Sequence, residues 1–240
     1  MSSCTVTVSS SSSTLRSTLF PPLHLRNDKQ WEIALLDFTT YNSIPNIIEG
    51  VNNKFHYARK KNTEDLTDVR EFVTIKTGAY EIADINRELQ SKLGKDVIEL
   101  RANNNNLRSE IKCKFYMDFT QPASIGPLLG FPSYMSILEP NIYHTSPKTV
   151  NIIKVNTINI TCNIVQGAYK DGSNQHILHS FYPTVPPGFK IVEKPHNLIY
   201  LPLNSTHISD IVLNVLDQDG DFVDFRGEII TLRLHIRQTP

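Results

Sequence analysis

Apolar and polar positions alternate over short stretches along most of this chain, and one segment departs from that two-residue period. Trp31, Ile33 and Leu35 fall on one face of a strand predicted over residues 31–38, with Glu32, Ala34, Leu36 and Phe38 on the other. Asp37 completes the first face. Weaker strands are predicted over 51–60 and 72–76. Residues 97–102 and 107–119 read as a hairpin about the polar tip Asn103 to Asn106, because Ile111, Cys113, Phe115 and Met117 alternate with polar neighbours. The C-terminal part is almost continuous strand pattern, at 149–165, 176–182, 189–193, 197–203, 208–216 and 228–237. Turn chemistry separates these runs at Lys170-Asp171-Gly172, Pro186-Pro187-Gly188 and Asp219-Gly220. In the last run Leu232, Leu234 and Ile236 alternate with Thr231, Arg233, His235 and Arg237, the pattern of a half-exposed antiparallel strand.

The exception is 80–93, where Ile82, Ile85, Leu89 and Leu93 recur at helical spacing. Glu81 and Asp84 lie early, Lys92 late, and Gly94 stops the run, so an amphipathic helix is predicted there. Ser124 to Gly130 reads as one further helical turn, and the prolines of 132–147 indicate an irregular crossing loop. Residues 1–14 are Ser/Thr-rich and short of apolar content. A flexible arm is expected, either disordered alone or, through its short alternating Thr5-Val6-Thr7-Val8 run, adding as a strand to a neighbour's sheet edge. The expected organisation is therefore an arm (1–14), a β-rich part with the helix (15–119), an irregular connection (120–148) and a second β-rich part (149–240). Short strands at near-regular spacing argue for a mainly β jelly-roll sandwich with one or two short helices. One integrated jelly-roll unit is the preferred reading, with room for two packed β domains.

Composition narrows the function classes. The 240 residues hold 24 basic and 24 acidic side chains. A chain that neutralises nucleic-acid phosphates carries a basic excess, so direct, sequence-specific nucleic-acid binding is not expected. Near-zero net charge lowers self-repulsion and permits packing of copies against one another. Cys4, Cys113 and Cys162 are odd in number and far apart, giving neither a disulfide framework nor zinc spacing, and folding inside a cell is the expectation. There is no run of about 20 apolar residues and no cationic-then-apolar leader, so a soluble chain without a membrane span or signal peptide is expected. Of the sequons Asn159-Ile160-Thr161 and Asn204-Ser205-Thr206, the first lies inside a strand-like run, which argues against its use.

No catalytic template fits. Nucleotide-binding glycine loops and the GxSxG elbow are absent from the sequence. Asp217, Asp219 and Asp221 imitate the start of a calcium loop, but no glutamate stands at the closing position, and an exposed hairpin turn is the plainer expectation. His176 and His179 would point to opposite faces of a strand, which speaks against a shared metal. Glu32, Asp37, Glu110 and Glu228 are carboxylates that two converging strands could bring together for glycoside hydrolysis, though nothing in the sequence selects them. A single Trp31 is more often core than carbohydrate platform. Arg226 and Glu228 flank Gly227 just before the last strand; a local ion pair is expected, with a subunit-interface contact as the sharper alternative. No catalytic residue, cofactor or metal is expected.

Four segments carry a resemblance: PLHLRNDKQWEIALLDFTTYNSIPNI, GAYEIADINRELQ, SIGPLLGF and HSFYPTVPPGFKIVEKPHNLIYLPLNSTHISDIVLNVLDQDGDFVDFRGEIITLRLHIR. Together they span most of 15–237 and resemble the minor capsid, or penton, proteins of Polinton/Maverick elements and adintovirus-like viruses. The resemblance implies a jelly-roll fold, a homopentamer at capsid vertices, contact with a major capsid protein, a place in the virion and no catalysis. The length favours a penton over a double jelly-roll major subunit. A jelly-roll carbohydrate-binding module is the alternative from another class, recognisable by an exposed aromatic row and monomeric behaviour. On the capsid reading, each copy offers one flank to the opposite flank of the next. Removal of residues 1–14 is then expected to spare folding and weaken assembly.

Overall fold

In the computed structural model, residues 2–59, 70–170 and 172–239 are described, and the chain divides into two compact units. One comprises residues 1–44 and 155–240; the other, 45–154, is inserted in the chain between them.

The first unit is a β-sandwich. One sheet has the order β1 (Ser3–Ser10), β17 (Ile230–Gln238), β3 (Trp31–Tyr41), β14 (Lys190–Glu193), and short β15 (Leu201–Pro202) also pairs with β3. The other runs β13 (Ile177–Phe181), β10 (Ile158–Cys162), β16 (His207–Leu216), β2 (Thr14–His24). Taken in chain order, the eight principal strands pair first with last, second with seventh, third with sixth and fourth with fifth. All four pairs are antiparallel. That is the order of a jelly roll, a long hairpin ribbon rolled so that its halves face each other. The hairpin β11 (Ala168–Lys170) and β12 (Ser173–Gln175) projects from the β10–β13 connection.

Period-two patterning puts the core where the sequence places it. Ile33, Leu35 and Phe38 of β3 meet Leu232, Leu234 and Ile236 of β17, all buried. Ile158 and Ile160 of β10 and Ile211, Leu213 and Val215 of β16 come from the facing sheet. Phe38 packs against Phe181, with ring centroids 5.1 Å apart. Leu35 and Phe38 share a face despite their odd spacing because the β3–β17 register shifts between Arg233 and Leu234, which leaves Asp37 opposite Arg233 on the outer face.

Residues 3–10 correct one expectation. They are not a free arm here but strand β1, in continuous antiparallel register with β17 from Ser3↔Arg237 to Ser10↔Ile230. Low apolar content does not exclude a strand whose partner supplies the ladder, and Val8 is enough to turn one side chain into the core. Arg16 and Thr18 of β2 flank a ladder that breaks between Ile208 and Asp210, where Leu19 to Pro22 bulge outward. Prolines are tolerated there because β2 is an edge strand. Phe20, at the bulge, is 97% exposed.

The inserted unit has its own core. The sheets β5–β4–β8 and β6–β7–β9 comprise β4 (Lys54–Ala58), β5 (Arg70–Thr74), β6 (Ile98–Asn103), β7 (Arg108–Cys113), β8 (Tyr116–Met117) and β9 (His144–Thr145). The 51–60 strand prediction corresponds to β4, with residue 60 outside the described residues. Helix α1 (Ile82–Leu93) buries Ile82, Ile85 and Leu89; its first turn is tied by the Glu81 N–H donating to Asp84 Oδ2 at 3.0 Å. Gly94 ends it at φ +111°, its N–H bonded to the Gln90 carbonyl at 2.9 Å. The turn at 125–131 closes through Leu129 N–H to the Ile125 carbonyl. Gly130 there admits no side chain: a Cβ would lie 2.3 Å from the Lys148 carbonyl.

The long run predicted at 149–165 is strand only over Ile158–Cys162. Lys148, Val150 and Asn151 donate their backbone N–H groups to loops of the inserted unit, so the apolar run straddles two cores. The unit boundaries after residues 44 and 154 also differ from the expected divisions at 119 and 149.

Two outcomes follow. Phe38→Ala should lower unfolding free energy by about 3–5 kcal/mol and Phe20→Ala by no more than about 0.5 kcal/mol, measured by denaturant titration. Equal effects would contradict the assignment of core and surface. Deleting residues 1–10 should destabilise the fold by exposing the β17 edge; a truncated chain with an unchanged denaturation midpoint would show that β1 contributes nothing.

Candidate functional site

The residues singled out for chemistry have structural occupations. Asp217 is buried, and its Oδ1 accepts the N–H groups of Asp219 and Asp221, each at 2.9 Å. The Asp217 N–H in turn donates to the Asp221 carbonyl at 2.8 Å. Asp219 Oδ2 accepts from the Gln218 side chain at 2.9 Å. The loop is thus closed by an Asx-type turn, with one carboxylate holding the backbone rather than facing a common ion. Among the described residues, no group of three or more His, Cys, Asp or Glu side chains is placed to hold a metal.

Three of the candidate carboxylates are each held by an arginine of their own unit. Glu32 and Asp37 lie on the outer face of β3, opposite Arg237 and Arg233 of β17, with Glu32 Oε1 2.6 Å from Arg237 Nε and Asp37 Oδ2 2.7 Å from Arg233 Nε. Glu110 belongs to the inserted unit and accepts from Asn103 at 3.0 Å and Arg101 at 2.7 Å, bonds that in that order lower its carboxyl from the usual value. Trp31 is buried, its indole N–H donating to the Arg26 carbonyl at 3.1 Å. His176 Nδ1 lies 2.6 Å from the Val165 carbonyl and His179 Nε2 3.0 Å from Glu193 Oε1, so the two rings serve separate contacts. Burial raises the Cys113 thiol and pushes Cys162 up to about 11, which keeps both protonated and unreactive.

Arg226 and Glu228 form no ion pair with each other among the described residues, contrary to the local pairing expected. The start of the final strand is set by backbone groups: Arg226 N–H donates to Asp224 Oδ1 at 2.7 Å and Glu228 N–H to the Phe225 carbonyl at 3.0 Å. Arg226 adopts φ +54° and Gly227 φ +79°, so the charged side chains are carried on a tight turn. Arg226 is exposed and Glu228 half-buried, with exposed Phe222 and Ile229 as chain neighbours.

The surface that stands out lies elsewhere, at the open edge of the first sheet. Edge strand β14 pairs with β3 on one side only. Tyr41 stands opposite Lys190, and Val192 opposite Thr39, on the outer face of the same pair. The turn Pro186-Pro187-Gly188 presents Phe189: Gly188 takes φ +84°, and its N–H donates to the Asn42 carbonyl at 2.7 Å. Buried Asn42 also donates its N–H to the Phe189 carbonyl at 2.8 Å and its side-chain amide to the Val185 carbonyl at 2.7 Å. Tyr182 and Phe189 are 70% and 60% exposed although the loop that carries them is anchored at both ends. Large apolar side chains held out to water on an anchored frame make this edge the candidate functional surface among the described residues. The sequence contained one usable signal, an aromatic directly after a Pro-Pro-Gly turn; Tyr41 and Val192 looked like ordinary strand residues.

Among the described residues no helix is long and apolar enough to cross a membrane. Among solved structures, the chain is similar to the crystal structure of selenomethionine-labelled mavirus penton protein, with TM-score 0.48 and 12% sequence identity over 99% of each chain. No protein-family model matches the chain, and no curated protein does.

Asp217→Ala should cost about 1–3 kcal/mol by leaving two backbone donors without their acceptor. Thermal melts with calcium and with a chelator should coincide for the native chain. A melt raised by calcium and lost in Asp217→Ala would instead identify the loop as a cation site.

Proposed function

We propose that this chain is a structural capsid subunit, a penton that assembles with copies of itself into a vertex pentamer and contacts a major capsid protein in the virion. The observation that carries the reading is the anchored apolar edge around β14: Tyr41, Tyr182, Phe189 and Val192 of a jelly roll held out to water. The four sequence segments that resemble penton proteins supply the word capsid, and they include the Tyr182 to Val192 stretch itself. Jelly rolls serve unrelated functions, so the surface and not the fold supports assembly.

Ring closure needs two different, complementary patches on each copy. The β14 edge offers one. The opposite edges of the sandwich, β1 and β2 with the Phe20 bulge, offer the other. Packing these edges against a neighbour would also cover the unpaired backbone groups that make free edge strands prone to adventitious pairing. A major-capsid-like double jelly roll is the less favoured form, because the inserted unit carries two three-stranded sheets and a helix among its described residues. Arg226 and Glu228 remain interface candidates on the exposed turn before β17.

Size measurement by light scattering, with electron microscopy of the protein alone and beside its capsid partner, tests the reading. Five-fold rings are the expected outcome, and Tyr182→Asp combined with Phe189→Asp should leave monomers with unchanged circular dichroism. A strictly monomeric native protein at high concentration, even with the capsid partner, would overturn the proposal. If that monomer instead bound oligosaccharides, the carbohydrate-binding alternative would replace it.

A further inference from the structure

We propose that His24 and His207 form a two-histidine site for a divalent transition metal of the copper, nickel and zinc group. The two residues face each other directly across the β2–β16 ladder, as the last residue of one strand and the first of the other. Their Nδ1 atoms lie 3.1 Å apart, with ring centroids at 4.5 Å and planes inclined by 51°. Without a metal this is an N–H···N bond in which one imidazole donates to the other. A metal–imidazole bond is about 2.0–2.1 Å long, so nitrogens 3.1 Å apart subtend about 95–102° at a shared ion. That angle lies between the square and tetrahedral values. A metal can take the bridging position once the shared proton shifts to Nε2 of the ring that carried it, so both imidazoles stay neutral and neither ring moves far.

The frame is built to hold both rings. The next pair in the ladder is Leu23↔Ile208, and Ile208 is buried. Beyond the histidines, Leu25 N–H donates to the Thr206 carbonyl at 2.8 Å, and buried Leu25 pins that end to the core. Ser205 Oγ accepts the His207 N–H at 3.2 Å and donates to the His207 carbonyl at 2.9 Å. The Thr206 hydroxyl donates to Asn27 Oδ1, tying the two chain segments together once more. Neither imidazole has a different hydrogen-bond partner among the described residues, so neither is committed elsewhere. Both side chains are exposed, which leaves the remaining coordination positions to water or to an external donor. Imidazole donors with open positions favour copper(II) over nickel(II) and zinc(II), and exclude calcium and magnesium, which require oxygen ligands.

The test uses the full chain stripped of metal with a chelator and titrated with copper(II) or zinc(II) in a calorimeter. One ion per chain is expected. His24→Gln and His207→Gln should each weaken binding at least about tenfold, because losing one of two linked donors removes the chelate advantage. His196→Gln, which alters an exposed histidine on another segment, should bind as the native chain does. Copper(II) electron paramagnetic resonance should show two nitrogen ligands in the native protein and one fewer in each ladder variant, at unchanged melting temperature. Absence of uptake at millimolar metal would overturn the site, as would native-like binding by either ladder variant or equal weakening by His196→Gln.

Discussion

The structure depends on the last strand of the chain reaching its place between the first strand and the third. β17 forms antiparallel ladders with β1 on one side and β3 on the other, and its Ile230, Leu232, Leu234 and Ile236 are shut off from water. Each ladder joins residues separated by most of the chain, so the loop-closure entropy must be met before the apolar contacts reward it. The same logic recurs at every level of the ribbon, where β2 waits for β16 and β3 for β14. The first unit is therefore cooperative by construction, since no sheet is complete until β16 and β17 have been added.

The insertion after β3 is compatible with this because it has a separate core. Phe55, Ile85, Leu89, Ile111, Met117 and Phe131 are buried within residues 45–154, along with α1. An insertion that closes its own apolar surface adds loop length to the ribbon at modest entropic cost, since that cost grows only logarithmically with length. Its polar groups are satisfied locally as well: buried Ser109 donates its hydroxyl to the Leu129 carbonyl at 2.6 Å and its N–H to Ser146 Oγ at 3.1 Å.

Side chains of the kinds enzymes use are consumed here by the architecture. The outer face of β3 and β17 aligns Glu32 with Arg237 and Asp37 with Arg233, while Tyr200 places its hydroxyl 2.7 Å from His235 Nδ1 and its ring 3.4 Å from the Arg237 guanidinium carbon. These pairs order a polar face in which the carboxylates are largely shielded and the arginines stay partly open to water. Among the described residues, the exposed apolar groups of the sandwich edges are not engaged in this way, and the proposed assembly rests on them. The facing histidines at the β2–β16 end bring two imidazole nitrogens within 3.1 Å of each other, and the proposed metal site rests on that pair.

The sequence by itself determined the class of the fold, its turns and its single described helix, because these depend on side-chain period and on local backbone chemistry. Alternation marked β3, β7, β16 and β17, and the spacing of Ile82, Ile85 and Leu89 marked α1 within two residues of its observed start. The Asp219-Gly220 turn was legible for the same reason. Only the tertiary structure decided that Ser3–Ser10 is a core-sheet strand, since its partner lies at the other end of the chain and the short Thr5-Val6-Thr7-Val8 alternation does not name that partner. The same holds for the split of 149–165 between two units, for Arg226 and Glu228 remaining apart, and for the meeting of His24 with His207. Register across distant strands sets all of these. A one-dimensional pattern tells which face a residue takes, but not which residue it will face.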